Sequence, residues 1–114
     1  MKTSNDPRHI KRQNLVQELF KKDFHEQRIS EDAKIIFDHI TEIDQVIHAA
    51  APEYPIEKIN RVDLAILRLA VYELTVEKKE PKNVIIDEAI ELAKEFGGEK
   101  SPSFINGALG NITL

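Results

Sequence analysis

Arg8, His9, Lys11 and Arg12 fall within two turns of one another near the start of the chain. Such a basic cluster on one helix attracts phosphates, and binding through it weakens as salt rises. Lys2 precedes the cluster, and Lys21 and Lys22 follow it a few turns on. The net charge of −4 hides an asymmetry: residues 1–28 carry a local charge of +3 and residues 29–114 one of −7. A basic head on an acidic body suits a polyanion site at one end. A solvated, charged first helix that balances acidic neighbours is the alternative.

Other chemistries find little support. His9, His25, His39 and His48 include no pair at the i, i+4 spacing of a helical metal site, and the chain has no cysteine; no metal and no cofactor are expected. No Gly-x-Ser-x-Gly elbow is present. Asp87, Glu88, Glu91 and Glu95 follow one helix at 3–4 spacing and read as a solvated face, not as paired catalytic carboxylates. Gly97-Gly98 lacks the lysine and hydroxyl of a phosphate loop, and the Gly107–Gly110 pair has a helical pattern around it where a KH domain needs strands. No catalytic residue is assigned, and the chain reads as a protein that binds partners.

The elements that must position the basic cluster are helical. Asp6-Pro7 is a cap followed by proline at the first helical position, and Ile10, Val16, Leu19 and Phe20 continue as an apolar stripe to about Phe24. Ser30 caps a second helix, with Glu31 and Asp32 at the positive end of its dipole. Ile36, Ile40, Ile43, Ile47 and Ala50 continue that helix on one face until Pro52 and Pro55. Asn60 caps a third, with Asp63 in the place of a capping-box glutamate. From Val62 to Leu74 apolar residues occupy nearly every face, the pattern of a rod surrounded by other helices. A polar connection, residues 75–82, leads to a fourth helix from Asn83 to Phe96. Gly97-Gly98 suits a left-handed C-cap, and Ser101-Pro102 caps a last helix. Gly107 and Gly110 lie inside that helix, where glycine costs about 1 kcal/mol against alanine, so a packing or contact reason is expected. The predicted fold is all-α: a compact bundle of five to six helices around a buried central helix, one domain over 1–114 with residues 1–6 as a flexible leader.

At 114 residues, 41% apolar and 32% charged, the chain is long enough for one real core and too apolar for disorder. The N-terminus lacks the apolar stretch of a signal peptide, and no apolar run approaches a membrane span. A soluble, cytoplasmic protein is expected, in keeping with the absence of cysteine.

Two stretches, "RVDLAILRLAVYEL" and "PKNVIIDEAIELAKEFGGEKSPSFINGALGNI", resemble the C-terminal half of the NusB family of transcription antitermination factors. The resemblance covers about residues 56–113. The N-terminal "R-x-x-x-R-x-x-x-V-Q-x-L-F" is similar, less specifically, to that family's arginine-rich first helix, with His9 where arginine is common and Phe20 where tyrosine is common. Ahead of "RVDLAILR" the chain looks shorter than the family by around one helix and loop, which implies a differently packed N-terminal half.

The resemblance implies a non-catalytic adaptor that binds boxA-type single-stranded RNA together with the small-subunit ribosomal protein NusE. It further implies a place in the RNA polymerase antitermination complex that supports ribosomal RNA transcription and ribosome biogenesis. Carried over by position, the RNA surface includes Arg8, His9 and Arg12, with Lys82, Ser101 and Phe104 as further candidates; Lys11 joins them as part of the basic cluster. The NusE-type partner is expected at Phe20, Glu57 and Asp63. Each has a structural alternative: Phe20 as core, Asp63 as a helix cap, Phe104 as half core. Arg68 is expected in a salt bridge or snorkelling between packed helices. Two other readings stand beside this one. One is an RNA-targeting module like that of ribosomal RNA cytosine methyltransferases; the other is a structural homodimer that never touches RNA.

Overall fold

The computed structural model describes residues 6–22 and 29–113, with only the backbone at Lys22. Apart from Asp6, the expected leader lies outside the described residues, as does the expected run of the first helix to Phe24. Six α-helices form the described fold: α1 (Pro7–Lys22), α2 (Glu31–Asp38), α3 (Ile40–Ala50), α4 (Arg61–Tyr72), α5 (Lys82–Phe96) and α6 (Ser101–Gly110). None of them is long and apolar enough to cross a membrane.

Helix α4 is the rod around which the others assemble. Asn60 Oδ1 accepts from the backbone N–H groups of Val62 and Asp63 at 2.9 and 3.3 Å and so starts the helix. Every residue from Asp63 to Val71 is buried. Helices α1, α2, α3, α5 and α6 all pack on α4, so its all-round apolar pattern is satisfied. Arg68 joins α4 to α3 through a two-pronged contact with Asp44 at 3.0 and 2.9 Å, the role expected of it. The rod also runs further than its apolar pattern. It widens into a π-helical turn, Glu73–Glu77, whose last three residues fall where a polar connection was expected, and stops at Lys78 in the left-handed region (φ 54°). Thr75 Oγ1 donates to the Val71 carbonyl at 2.7 Å within this turn.

The expected single helix over residues 31–50 is broken at His39 (φ −106°, ψ 13°). Ile36, Ile43 and Ile47 stay buried on both sides of the break, because α3 resumes at once and the 3–4 spacing runs across the joint undisturbed. Ser30 caps α2 as expected, accepting from Ala33 N at 3.2 Å, and Glu18 of α1 in turn holds the Ser30 N–H and hydroxyl.

The turn between α5 and α6 differs from expectation. Gly97 has φ −93° and ψ −170°, and no described glycine has a positive φ. Glycine is needed there because a Cβ would stand 2.5 Å from Ser101 Oγ and 2.8 Å from the Ala93 carbonyl. Ser101 is the first residue of α6, not its cap, and its hydroxyl accepts from Gly98 N at 2.9 Å. At Gly107 and Gly110 an added Cβ would meet nothing within 4 Å, so the expected packing reason for them is not found.

Candidate nucleic-acid interface

Helix α1 begins where Asp6 accepts from the Arg8 backbone N–H at 2.9 Å and from Ile10 N through its carbonyl at 3.0 Å. Leu15, Val16 and Leu19 seal the helix onto the core, while Ile10, expected on the same stripe, is exposed. That orientation divides the basic cluster. Arg8 and Lys11 face outward, and His9 and Arg12 face inward with only 4% and 7% of their surface exposed. The expectation of one open cationic surface is therefore corrected: the helical repeat that buries Val16 and Leu19 also turns His9 and Arg12 toward α5 and the end of α4.

Carboxylates receive them there. Arg12 Nε donates to both Glu73 oxygens at 3.2 and 3.0 Å, and Arg12 Nη2 donates to Glu73 Oε1 at 2.6 Å. The same Nη2 also bonds Glu80, and Nη1 lies 3.5 Å from Glu88. The His9 ring places Nδ1 at 2.9 Å from Glu88 and Nε2 at 2.8 Å from Glu95. Burial alone would discharge the imidazole, but its bonds to Glu95 and Glu88 outweigh burial and raise its pKa. Arg12 is likewise pushed up: desolvation opposes its charge, and the bonds to Glu73 and Glu80 more than offset that. Glu73 moves the other way relative to its charge. Burial raises its carboxyl above the usual range, and Arg12 recovers only part of the cost.

Asp87, Glu88, Glu91 and Glu95 are thus not simply a solvated face. Glu88 is buried, and Glu88 and Glu95, two turns apart on α5, grip one imidazole from α1. No local pattern in the sequence marked this pairing, since His9 alone bridges the two acids and they lie 79 and 86 positions away.

A groove of about 370 Å³ opens beside this network, between α1, α2 and the end of α4. Leu15, Leu69 and Tyr72 line its apolar side. Its charged rim sets Arg8, Lys11 and Lys79 against Asp32, Glu77 and Glu80. Lys11 lies 3.5 Å from Asp32, both largely exposed. Lys79 and Tyr72 belong to this rim and were missed from the sequence, since the chain had to fold to bring them beside α1.

The remaining sequence-derived candidates scatter. Lys82 is half-buried and donates to the Ile112 carbonyl at 2.9 Å, tying the start of α5 to the chain after α6. Asp63 and Ser101, assigned to different partners by position, are both buried and meet each other inside the fold. Both side chains are engaged within the fold, where the Ser101 hydroxyl links Asp63 to the Gly98 backbone. Burial raises the Asp63 carboxyl, the Ser101 bond opposes this only in part, and Asp63 Oδ1 has no hydrogen-bond partner among the described residues. Phe104 is half-buried and meets the exposed Tyr54 edge-on, with ring centroids 5.1 Å apart. Phe20 is half-buried against the core, and Glu57 is exposed on a short 3₁₀ turn, Ile56–Lys58.

Comparison with known proteins follows the same outline. The NusB family matches residues 2–114. Transcription antitermination protein NusB of Geobacter sulfurreducens is 52% identical over 77 residues, 68% of this chain and 56% of that protein. The protein of the same name from Roseiflexus castenholzii is 42% identical over 78 residues, 67% of this chain and 55% of its own length. The chain thus spans about half the length of the curated relatives it matches. Among solved structures, T. maritima NusB (P3121, form 2) superposes with a TM-score of 0.77 at 33% identity, covering 96% of this chain and 90% of that one. That coverage takes in the N-terminal half, which was expected to pack differently.

Proposed function

Because this chain belongs to the NusB family, we propose that it is a non-catalytic transcription antitermination factor that binds boxA-type single-stranded RNA together with the ribosomal protein NusE. In this reading it works in the cytoplasm within the RNA polymerase antitermination complex and supports ribosomal RNA transcription and ribosome biogenesis. The observation that carries the reading is the exposed pair Arg8 and Lys11 on α1, set at the mouth of a groove with an aromatic wall at Tyr72. Exposed cations contact phosphates, and an unpaired base stacks on an aromatic face. His9 and Arg12 serve the same surface from beneath by fixing the pitch and seating of α1 on α5. Phe104 with Tyr54 is a second aromatic site for RNA, and the half-buried Phe20 and exposed Glu57 are the positions offered to the ribosomal partner.

The test is a titration of labelled boxA-type RNA with and without NusE-type protein at two salt concentrations. Binding that tightens with the partner and weakens with salt is expected. Unchanged RNA mobility with both components present at low salt would refute the reading.

A further inference from the structure

Arg8 and Arg12 stand one turn apart on α1, and both reach the same carboxylate. Arg8 Nη1 lies 3.3 Å from Glu80 Oε1, and Arg12 Nη2 bonds Glu80 Oε2. We propose that the two guanidinium groups form a seat for a phosphate-class oxyanion, and that Glu80 occupies this seat as an internal competitor. The inference rests on the RNA reading for its physiological ligand, a phosphodiester of the bound strand.

Three observations separate Glu80 from the other carboxylates around Arg12. First, Glu73 and Glu88 are buried on helical backbone, their side chains 8% exposed, whereas Glu80 is more open at 18%. Second, Glu80 sits in the short connection between Lys78, where the rod ends, and Pro81, the residue just ahead of α5. Its side chain can leave without disturbing a helix. Third, the donors of Arg12 are divided. Glu73 takes Nε–H and one N–H of Nη2, and Glu80 takes the other N–H of that nitrogen at the edge of the groove. A guanidinium presents five N–H donors in a fixed fork. Withdrawal of Glu80 frees one of them beside the exposed Arg8, at a spacing that already accommodates the two oxygens of one anion. Glu73 and Glu88 stay in place, so Arg12 keeps its burial and its aim. A phosphate oxygen competes with Glu80 for the same two donors, and RNA affinity is set below what α1 alone would give.

The experiment compares wild type, Glu80→Gln, the double variant Arg8→Ala with Glu80→Gln, and Glu77→Gln. The last removes the same charge from the same groove at a residue that bonds neither arginine. Helical circular dichroism establishes that each is folded. Thermal midpoints are taken in inorganic phosphate and in chloride at matched ionic strength, and boxA-type RNA is titrated in parallel. The seat predicts a phosphate-specific rise in midpoint for Glu80→Gln that exceeds wild type and Glu77→Gln and is lost in the double variant. RNA affinity should rise about tenfold in Glu80→Gln and much less in Glu77→Gln. Absence of the phosphate-specific rise overturns the seat, whatever the RNA result. Equal gains for the Glu80 and Glu77 variants in both arms also overturn it, as a general charge effect. If the phosphate effect is found but no variant binds RNA, the seat stands with free phosphate as its ligand, and it is the RNA reading that fails.

Discussion

The His9 imidazole meets the buried Glu88 carboxylate at 2.9 Å through Nδ1 while its other nitrogen meets Glu95 at 2.8 Å. A neutral imidazole has one N–H and one lone pair, so it can donate to only one of the two. Both bonds form at once when the ring carries both protons, the form that its raised pKa favours. Helix α1 is therefore held to α5 by a proton.

The first prediction follows from that proton. The folded-state pKa of His9 lies above its ordinary value, so its contribution to stability is complete below the unfolded histidine pKa, about 6.5. The contribution is lost as pH rises through the folded value. Thermal midpoints should fall as pH rises above about 6.5 in wild type, and the fall should be smaller in His9→Gln. Equal slopes in the two proteins would contradict the clamp.

Arg12→Ala leaves Glu73, 6% exposed, without its main partner. Removing one member of a buried ion pair costs about 3–5 kcal/mol. Glu73→Gln in the Arg12→Ala background should recover a substantial part, because the orphaned charge is then gone. Urea denaturation of the two single variants and the pair provides the cycle.

Two glycine substitutions should act with opposite sign. Gly97→Ala drives a Cβ into Ser101 Oγ and the Ala93 carbonyl, and overpacking of this kind costs about 1–3 kcal/mol. Gly107→Ala meets nothing within 4 Å inside α6 and should stabilise by up to about 1 kcal/mol. Thermal melts of the two variants read the signs directly.

Ser101→Ala removes the hydroxyl that joins Gly98 N to Asp63. Loss of a partner from buried polar groups costs about 1–3 kcal/mol. Asp63→Asn should act oppositely near neutral pH. Burial raises the Asp63 pKa, so stability falls as pH climbs from the unfolded carboxyl range to that raised value, and the amide has no charge to bury. Denaturant midpoints at about pH 7 and about pH 4, which bracket the carboxyl range, should show the gain from Asp63→Asn shrinking in acid.

Arg8 and Lys11 are the exposed cations in the first turns of α1. Alanine at either should weaken boxA-type RNA binding across sequences and lower the salt slope by about one. An unchanged slope in the double variant would remove α1 from the RNA surface.

The helices, the caps at Asp6, Ser30 and Asn60, and the buried rod at residues 62–74 were legible from the sequence alone. They depend on short-range matters: the 3.6-residue repeat, side chains that bond the nearest backbone, and the need of an all-apolar helix for neighbours on every side. The break at His39 was not legible, because the isoleucine spacing continues through it. Nor was the glycine at 97 read correctly, since its reason is a side chain four residues away across a turn and not its own dihedral angles. The division of the basic cluster was decided by tertiary structure. Arg8, His9, Lys11 and Arg12 are alike as letters in a charge count. Only the docking of α1 turns two of them to water and two onto Glu73, Glu88 and Glu95, carboxylates some 60 to 86 positions away along the chain. Coulombic and hydrogen-bonding partners are chosen by distance in space, and no local pattern encodes which acid will face which base.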